Sequence, residues 1–282
     1  MEKHHFRLCY LEPRIRLTAL CSAYAGIHPV GYFYDGESHD FWEAVFVLKG
    51  RAGVTAGEKI YSLNAGQMIF HPPGEFHRLW NEGEDYLRIA IISFAVDKFP
   101  IEKHTICTFN SKEKVFFTVR EIRKHFKTNG IFVVEVLSKE HTSAAQKAIG
   151  KIEELFLELW DSCEKEENES ANNVNKDRLS ELYSVAVAVM KNNIGERLSA
   201  ADIASACGMS VSTMQKLFFR YTGIGMMKYY EGVRMQHARM LLNNGRSVKE
   251  VALTLGYSDQ NYFSTAYKRY FGASPQKSIP HK

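Results

Sequence analysis

The chain is poor in cysteine, and the few it has are not set in pairs. Five in 282 residues (Cys9, Cys21, Cys107, Cys163, Cys207) are an odd number with no CxxC spacing. That argues against a disulfide framework or a cysteine-rich zinc site, and for reduced thiols. No apolar run is long enough to span a bilayer, and the opening MEKHHFRLCYLEPRIR lacks the apolar stretch of a secretory leader. A soluble, cytoplasmic chain with no membrane partner is expected. P-loop, GxGxxG and Ser/His/Asp patterns are all missing, so nothing supports nucleotide-dependent or serine-hydrolase chemistry.

An excess of either charge is also absent overall, but the balance is uneven along the chain. The net charge is +4; residues 176–282 hold 15 Lys and Arg against 7 Asp and Glu (+8), and residues 1–175 hold 21 against 25 (−4). A basic final third on a mildly acidic remainder fits a polyanion-binding module attached to something else, although a solvated basic surface would give the same numbers.

Residues 30–95 contain short apolar runs, EAVFVLK, AGVTA, KIYSL, QMIFH and YLRIAIISF, broken by Gly, Asn and Pro turn signals. Such spacing predicts an antiparallel sandwich or barrel. Helical periodicity follows over 111–126 and, more strongly, over 142–164. There Ala145, Ile149, Ile152, Phe156, Leu159 and Cys163 alternate steps of four and three, a coiled-coil-like seam. The seam could pack on its own barrel. Because Leu155 and Trp160 could fill that side, Ile149, Ile152, Phe156 and Leu159 are expected to face a second copy. The polar stretch EKEENESANNVNKDR then predicts a flexible linker.

Beyond the linker, one pattern occurs twice. Ala204 and Gly208 are four apart, as are Ala252 and Gly256, and the two alanines lie 48 residues apart in the numbering. A small residue where two helices cross and a glycine in the turn between them are what a helix-turn-helix requires. Ser199 and Ser247 stand where the N-caps of the first helices would be. GMMKYYEGVRMQHARMLLNN predicts a rigid connecting helix between the copies.

The segments DIASACGMSVSTMQKLFFRYTG, VRMQHARMLLNNGRSVKEVALTLGYSDQNYF and KRYFGASP together resemble the DNA-binding domain of the AraC/XylS family of bacterial transcription regulators, over about residues 178–276. The resemblance implies two recognition helices in successive major-groove segments on one face of double-stranded DNA. On it, Ser212, Gln215 and Lys216 match base-facing positions of the first helix, opposite the Met214/Leu217/Phe218 core stripe. Gln260, Asn261, Tyr262 and Thr265 match those of the second. Thr265 stands where family members often carry arginine. Arg220, Lys268 and Arg269 are placed for phosphates, which set register without reading sequence.

In the first half, Glu37, His39, Phe41 and Glu43 fall at even spacing, which puts them on one face of a strand. GQMIFHPPGEFHRLWN adds Gly66, Pro72, Gly74, His77 and Asn81. Together these are similar to the two signatures of the cupin barrel, with Glu43 and Gly50 forming part of the first. The resemblance implies a metal-free pocket for a small effector, such as a sugar, using Glu37, His39, Phe41, Glu43 and His77, or a divalent metal on His39, Glu43 and His77, with a purely structural polar cluster as the third reading.

The expected fold is a two-domain chain: an N-terminal all-β cupin-like barrel with accessory helices and a C-terminal all-α double helix-turn-helix domain. Residues 1–110 are assigned to the sensing barrel, 111–166 to accessory and dimerisation helices, 167–177 to the linker and 178–282 to the tandem DNA-binding domain. The expected function is a dimeric transcription regulator, an activator, that needs no cofactor. Its expected partners are DNA, a small-molecule effector and RNA polymerase. A metal-dependent cupin enzyme tethered to DNA and a protein-binding helical module are the rival readings.

Overall fold

Period-two alternation builds the first half. In the computed structural model, which describes residues 12–100, 106–163 and 178–278, the strands are β1 (Arg16–His28), β2 (Trp42–Lys49), β3 (Arg51–Ala56), β4 (Lys59–Asn64), β5 (Gln67–His71), β6 (His77–Asn81), β7 (Leu87–Lys98), β8 (Ile106–Thr108), β9 (Phe126–Asn129) and β10 (Phe132–Val136). They form a seven-stranded sheet in the order β8-β5-β2-β7-β1-β10-β9 and a three-stranded sheet β4-β3-β6, with antiparallel neighbours throughout. Ala44, Phe46 and Leu48 of β2 face α1 (Lys112–His125) and α2 (Thr142–Cys163), in one core with Phe70, Phe94 and Phe156. Val45 and Val47 alternate to the other side, against Val54, Leu63, Ile69 and Leu79 of the space between the sheets. Each such valine, leucine, isoleucine or phenylalanine side chain, fully buried, stabilises the fold by about 1.5–3 kcal/mol.

Three expectations need correction here. Strands reach beyond residues 30–95: β1 and the β9–β10 hairpin lie outside that stretch and extend the large sheet. The α2 seam does not face a second copy. Ile152, Phe156 and Leu159 are 0%, 0% and 2% exposed within the single chain, and Ile149 packs beside them against the barrel. A helix lying on a sheet needs a wide apolar stripe, so the seam, Leu155 and Trp160 all serve that one face. Finally, Cys107 on β8 is disulfide-bonded, while Cys21 and Cys207 are free thiols. The linker expected at 167–177 lies outside the described residues.

The second half is helical: α3 (Arg178–Asn192), α4 (Ala200–Ala206), α5 (Val211–Thr222), α6 (Met226–Asn243), α7 (Val248–Thr254) and α8 (Gln260–Phe271). The repeat is visible in the capping chemistry. Ser199 with Asp202 and Ser247 with Glu250 form two capping boxes, each satisfying amides at a helix start. Gly208 and Gly256 take left-handed φ of +65° and +67° in the two turns, a conformation that glycine adopts without a Cβ clash. Ala204 and Ala252 are each 2% exposed at the helix crossings. The connecting helix α6 carries a buried arginine, Arg234, whose guanidinium donates to the Leu255 carbonyl and lies over the Tyr230 and Tyr257 rings. It therefore ties α6 to the second motif's turn.

The helical half sits on the outer face of the small sheet. Ile60, Phe76 and Trp80 from the barrel join the core formed by Tyr183, Phe218, Tyr221 and Tyr229. Hence β3 and β4 are buried on both faces, not one.

Candidate functional site

Two sites emerge, one on the helices and one at the barrel. On α5, Ser212, Lys216 and Arg220 are exposed and Gln215 is half-buried. The periodicity that buries Met214, Leu217 and Phe218 turns these residues outward. The Gln215 Oε1 accepts from the Met226 amide at 3.2 Å, closing the start of α6. On α8, Gln260, Asn261, Tyr262, Thr265, Lys268 and Arg269 are all exposed, opposite buried Phe263, Ala266 and Tyr267. Thr265 Oγ1 donates to the Asn261 carbonyl at 2.9 Å, and Arg269 pairs with Glu231 of α6 at 2.7 Å.

At the barrel, Glu37, His39, Glu43 and His77 converge so that one donor atom from each lies within 4.8 Å of the others. Glu43 shares its strand face with Val45 and Val47 and therefore points between the sheets. Glu37 reaches the site by backbone pairing with His77, N to O at 2.9 and 3.0 Å in the two directions. Phe41, the remaining candidate, stacks on His39 with ring centres 3.8 Å apart. His39 and His77 have their Nδ1 atoms against backbone carbonyls, Phe41 O at 2.9 Å and Glu75 O at 3.2 Å. A carbonyl only accepts, so each Nδ1 carries the hydrogen and each Nε2 faces the cluster. Both Nε2 atoms are buried without a hydrogen-bond partner, although Glu43 is 3.7 and 3.3 Å away.

Burial alone would push the Glu43 carboxyl up, but His39 and His77 outweigh it and hold the group well below the usual carboxylate range. His77 is pushed down by burial and, more strongly, up by Glu43, for a net rise. His71, stacked on His77, is held far below the ordinary range, first by burial and then by His77. Sequence reasoning missed Ser93, whose Oγ donates to Glu43 Oε2 at 2.9 Å. Its signal is the β2–β7 register, which sets Glu43 opposite Ser93, and register is not readable from local spacing.

A barrel with a polar cluster, joined to two helix-turn-helix pairs whose second helices present polar residues outward, is the architecture of a cupin-like domain carried on a DNA-binding domain. Comparison with known proteins identifies the family. Residues 203–278 match the family described as "Helix-turn-helix domain" and residues 29–93 that described as "Cupin domain". Over 245 residues the chain is 25% identical to the HTH-type transcriptional activator RhaR of Mannheimia succiniciproducens, covering 84% of each chain. It is 24% identical to the Msm operon regulatory protein of Streptococcus mutans over 259 residues, 88% of this chain and 87% of the relative. Among solved structures, an AraC-type regulator from Chromobacterium violaceum is 35% identical over 34% of this chain and 86% of its own, with a TM-score of 0.32. The chain belongs to the AraC family of DNA-binding transcription regulators. Among the described residues, no helix is long and apolar enough to cross a membrane.

Proposed function

We propose that the barrel is an effector sensor, and that a small polar molecule bound at Glu37, His39, Phe41, Glu43 and His77 controls which DNA sites the helical domain occupies. The observation that carries this reading is the pair of buried, unpartnered Nε2 atoms beside an ionised carboxylate. Leaving such groups unpaired costs about 1–3 kcal/mol each, so the arrangement favours a ligand that completes them. A polyhydroxylated molecule such as a sugar can donate to Glu43, exchange hydrogen bonds with the imidazoles and stack against Phe41. Ser212, Gln215, Lys216, Gln260, Asn261 and Thr265 would then read base edges, and Arg220, Lys268 and Arg269 would contact phosphates. Homodimerisation and contact with RNA polymerase fit this role, with the dimer contact lying elsewhere than the α2 seam.

The test is a thermal-shift screen of sugars and small acids on the wild type and on Glu43→Gln. A compound that raises the melting temperature of the first and not of the second supports the site. A compound that stabilises both equally binds elsewhere.

The second reading is a divalent transition metal, favoured by the same donor convergence: His39 and His77 through Nε2, with Glu43 and Glu37 as carboxylate ligands. Nδ1–carbonyl contacts of this kind orient metal-binding histidines. A bound metal would supply a positive centre for polarising an oxygen of the ligand. Metal analysis of the purified chain against His77→Ala distinguishes the two: a stoichiometric metal in the wild type alone favours this second reading.

A further inference from the structure

The loop that leads into the first helix-turn-helix, residues 193–197, is held against the second. The Tyr230 hydroxyl of α6 shares its hydrogen between the carbonyls of Asn193 and Glu196, both at 2.9 Å. A Cβ on Gly195 would stand 2.8 Å from the carbonyl oxygen of Thr254, the last residue of α7, so the two backbones touch here. Arg197 reaches further. Its guanidinium lies 5.3 Å from the centre of the Tyr257 ring and 5.5 Å from that of Tyr262. Tyr257 also receives the Arg234 guanidinium at 5.0 Å, and Arg234 lies 5.7 Å from the Tyr230 ring. Tyrosine and arginine thus alternate through Tyr230, Arg234, Tyr257, Arg197 and Tyr262, from the connecting helix to the first turn of α8.

The two ends of this series differ in burial. Tyr230, Arg234 and Tyr257 are buried and belong to the packed interior of the helical half. Arg197 is exposed and Tyr262 is 59% exposed, so neither completes a core. Holding two long, solvated side chains in one arrangement costs rotamer freedom, and the cost falls beside Gln260 and Asn261, the positions matched to base reading. Phe263 and Tyr267 fix where α8 lies; what Arg197 adds is the setting of its exposed first turn. We propose that Arg197 is a positioning residue for DNA recognition: from the entry loop of the first motif it fixes Tyr262, so that the start of the second recognition helix keeps its phase with the first. The proposal rests on the reading of α8 as a base-reading helix.

Full-length wild type, Arg197→Ala and Arg197→Lys are compared on a duplex selected from a random pool. Fluorescence anisotropy over a range of KCl gives affinity and salt slope, hydroxyl-radical footprinting gives the protected patches, and thermal unfolding confirms the fold. The patch that Asn261→Ala weakens is assigned to α8. A wild type with no such patch removes the reading of α8, and the proposal with it. Where the patch is present, Arg197→Ala is expected to weaken binding by about 5-fold, the scale of two exposed cation–π contacts. The α8 patch fades, the α5 patch stays and the salt slope is unchanged. Arg197→Lys keeps the charge but not the planar guanidinium that stacks on rings, and is expected to resemble Arg197→Ala. Wild-type binding by Arg197→Lys, with the salt slope of Arg197→Ala reduced by about 0.9, would make Arg197 a phosphate contact and overturn the proposal. Equal fading of both patches, or unchanged binding by Arg197→Ala, overturns it as well.

Discussion

Gln215 has two uses for one amide. Its oxygen closes the start of α6, and its remaining N–H groups are free to meet a base edge. Gln215→Ala is therefore expected to weaken binding to a selected duplex by about 1–3 kcal/mol, and to lower unfolding stability by about 1 kcal/mol as well. Equal loss on scrambled DNA, measured by fluorescence anisotropy, would remove the base-reading role and leave only the cap. Lys216 makes no such internal bond; Lys216→Ala should weaken all duplexes alike and reduce the salt slope by about 0.9. Helical periodicity was enough to turn both residues away from Met214 and Leu217. The cap from Gln215 to Met226 was not legible, because it depends on how two successive helices meet in space.

Among the elements, α2 shows where pattern runs out. A heptad-like seam is the same string of letters whether it meets a second helix or a sheet, and only the large sheet's exposed back decides. Phe156, 0% exposed and packed with Phe70 and Phe94, makes this testable: Phe156→Ala should cost about 3–5 kcal/mol in urea unfolding. Ile152→Asp should unfold the barrel domain instead of converting a folded dimer to a folded monomer. The helix-turn-helix pairs were the more legible elements, since Ala-x-x-x-Gly and the serine caps act within one turn of chain. Their junction was not. A Cβ on Gly256 would lie 2.2 Å from the Gly195 carbonyl oxygen, so Gly256→Ala should cost more than about 2 kcal/mol through left-handed strain and this clash. Thermal unfolding of the helical domain reads that loss.

At the scale of the whole molecule, sequence suggested two bodies joined by a flexible tether, and the structure holds them together. The signal lay in AGVTA and KIYSL, strands without the polar alternation expected of a solvated face. Thr55 and Ile60 point outward there and are buried by the helical half. A lone arginine such as Arg78 carries no signature of its partner, because two of its three main-chain acceptors are carbonyls more than 140 positions away. What the charge division did convey is the polarity of the arrangement, an acidic barrel half against a basic helical half.

The central claim is that α5 and α8 read one face of the duplex together, and hydroxyl-radical footprinting of the full-length protein on a duplex selected from a random pool tests it most directly. Two protected patches on the same face, about one helical turn or 10–10.5 base pairs apart for each bound helical domain, are the expected result. One patch per domain, or two on opposite faces, would contradict it.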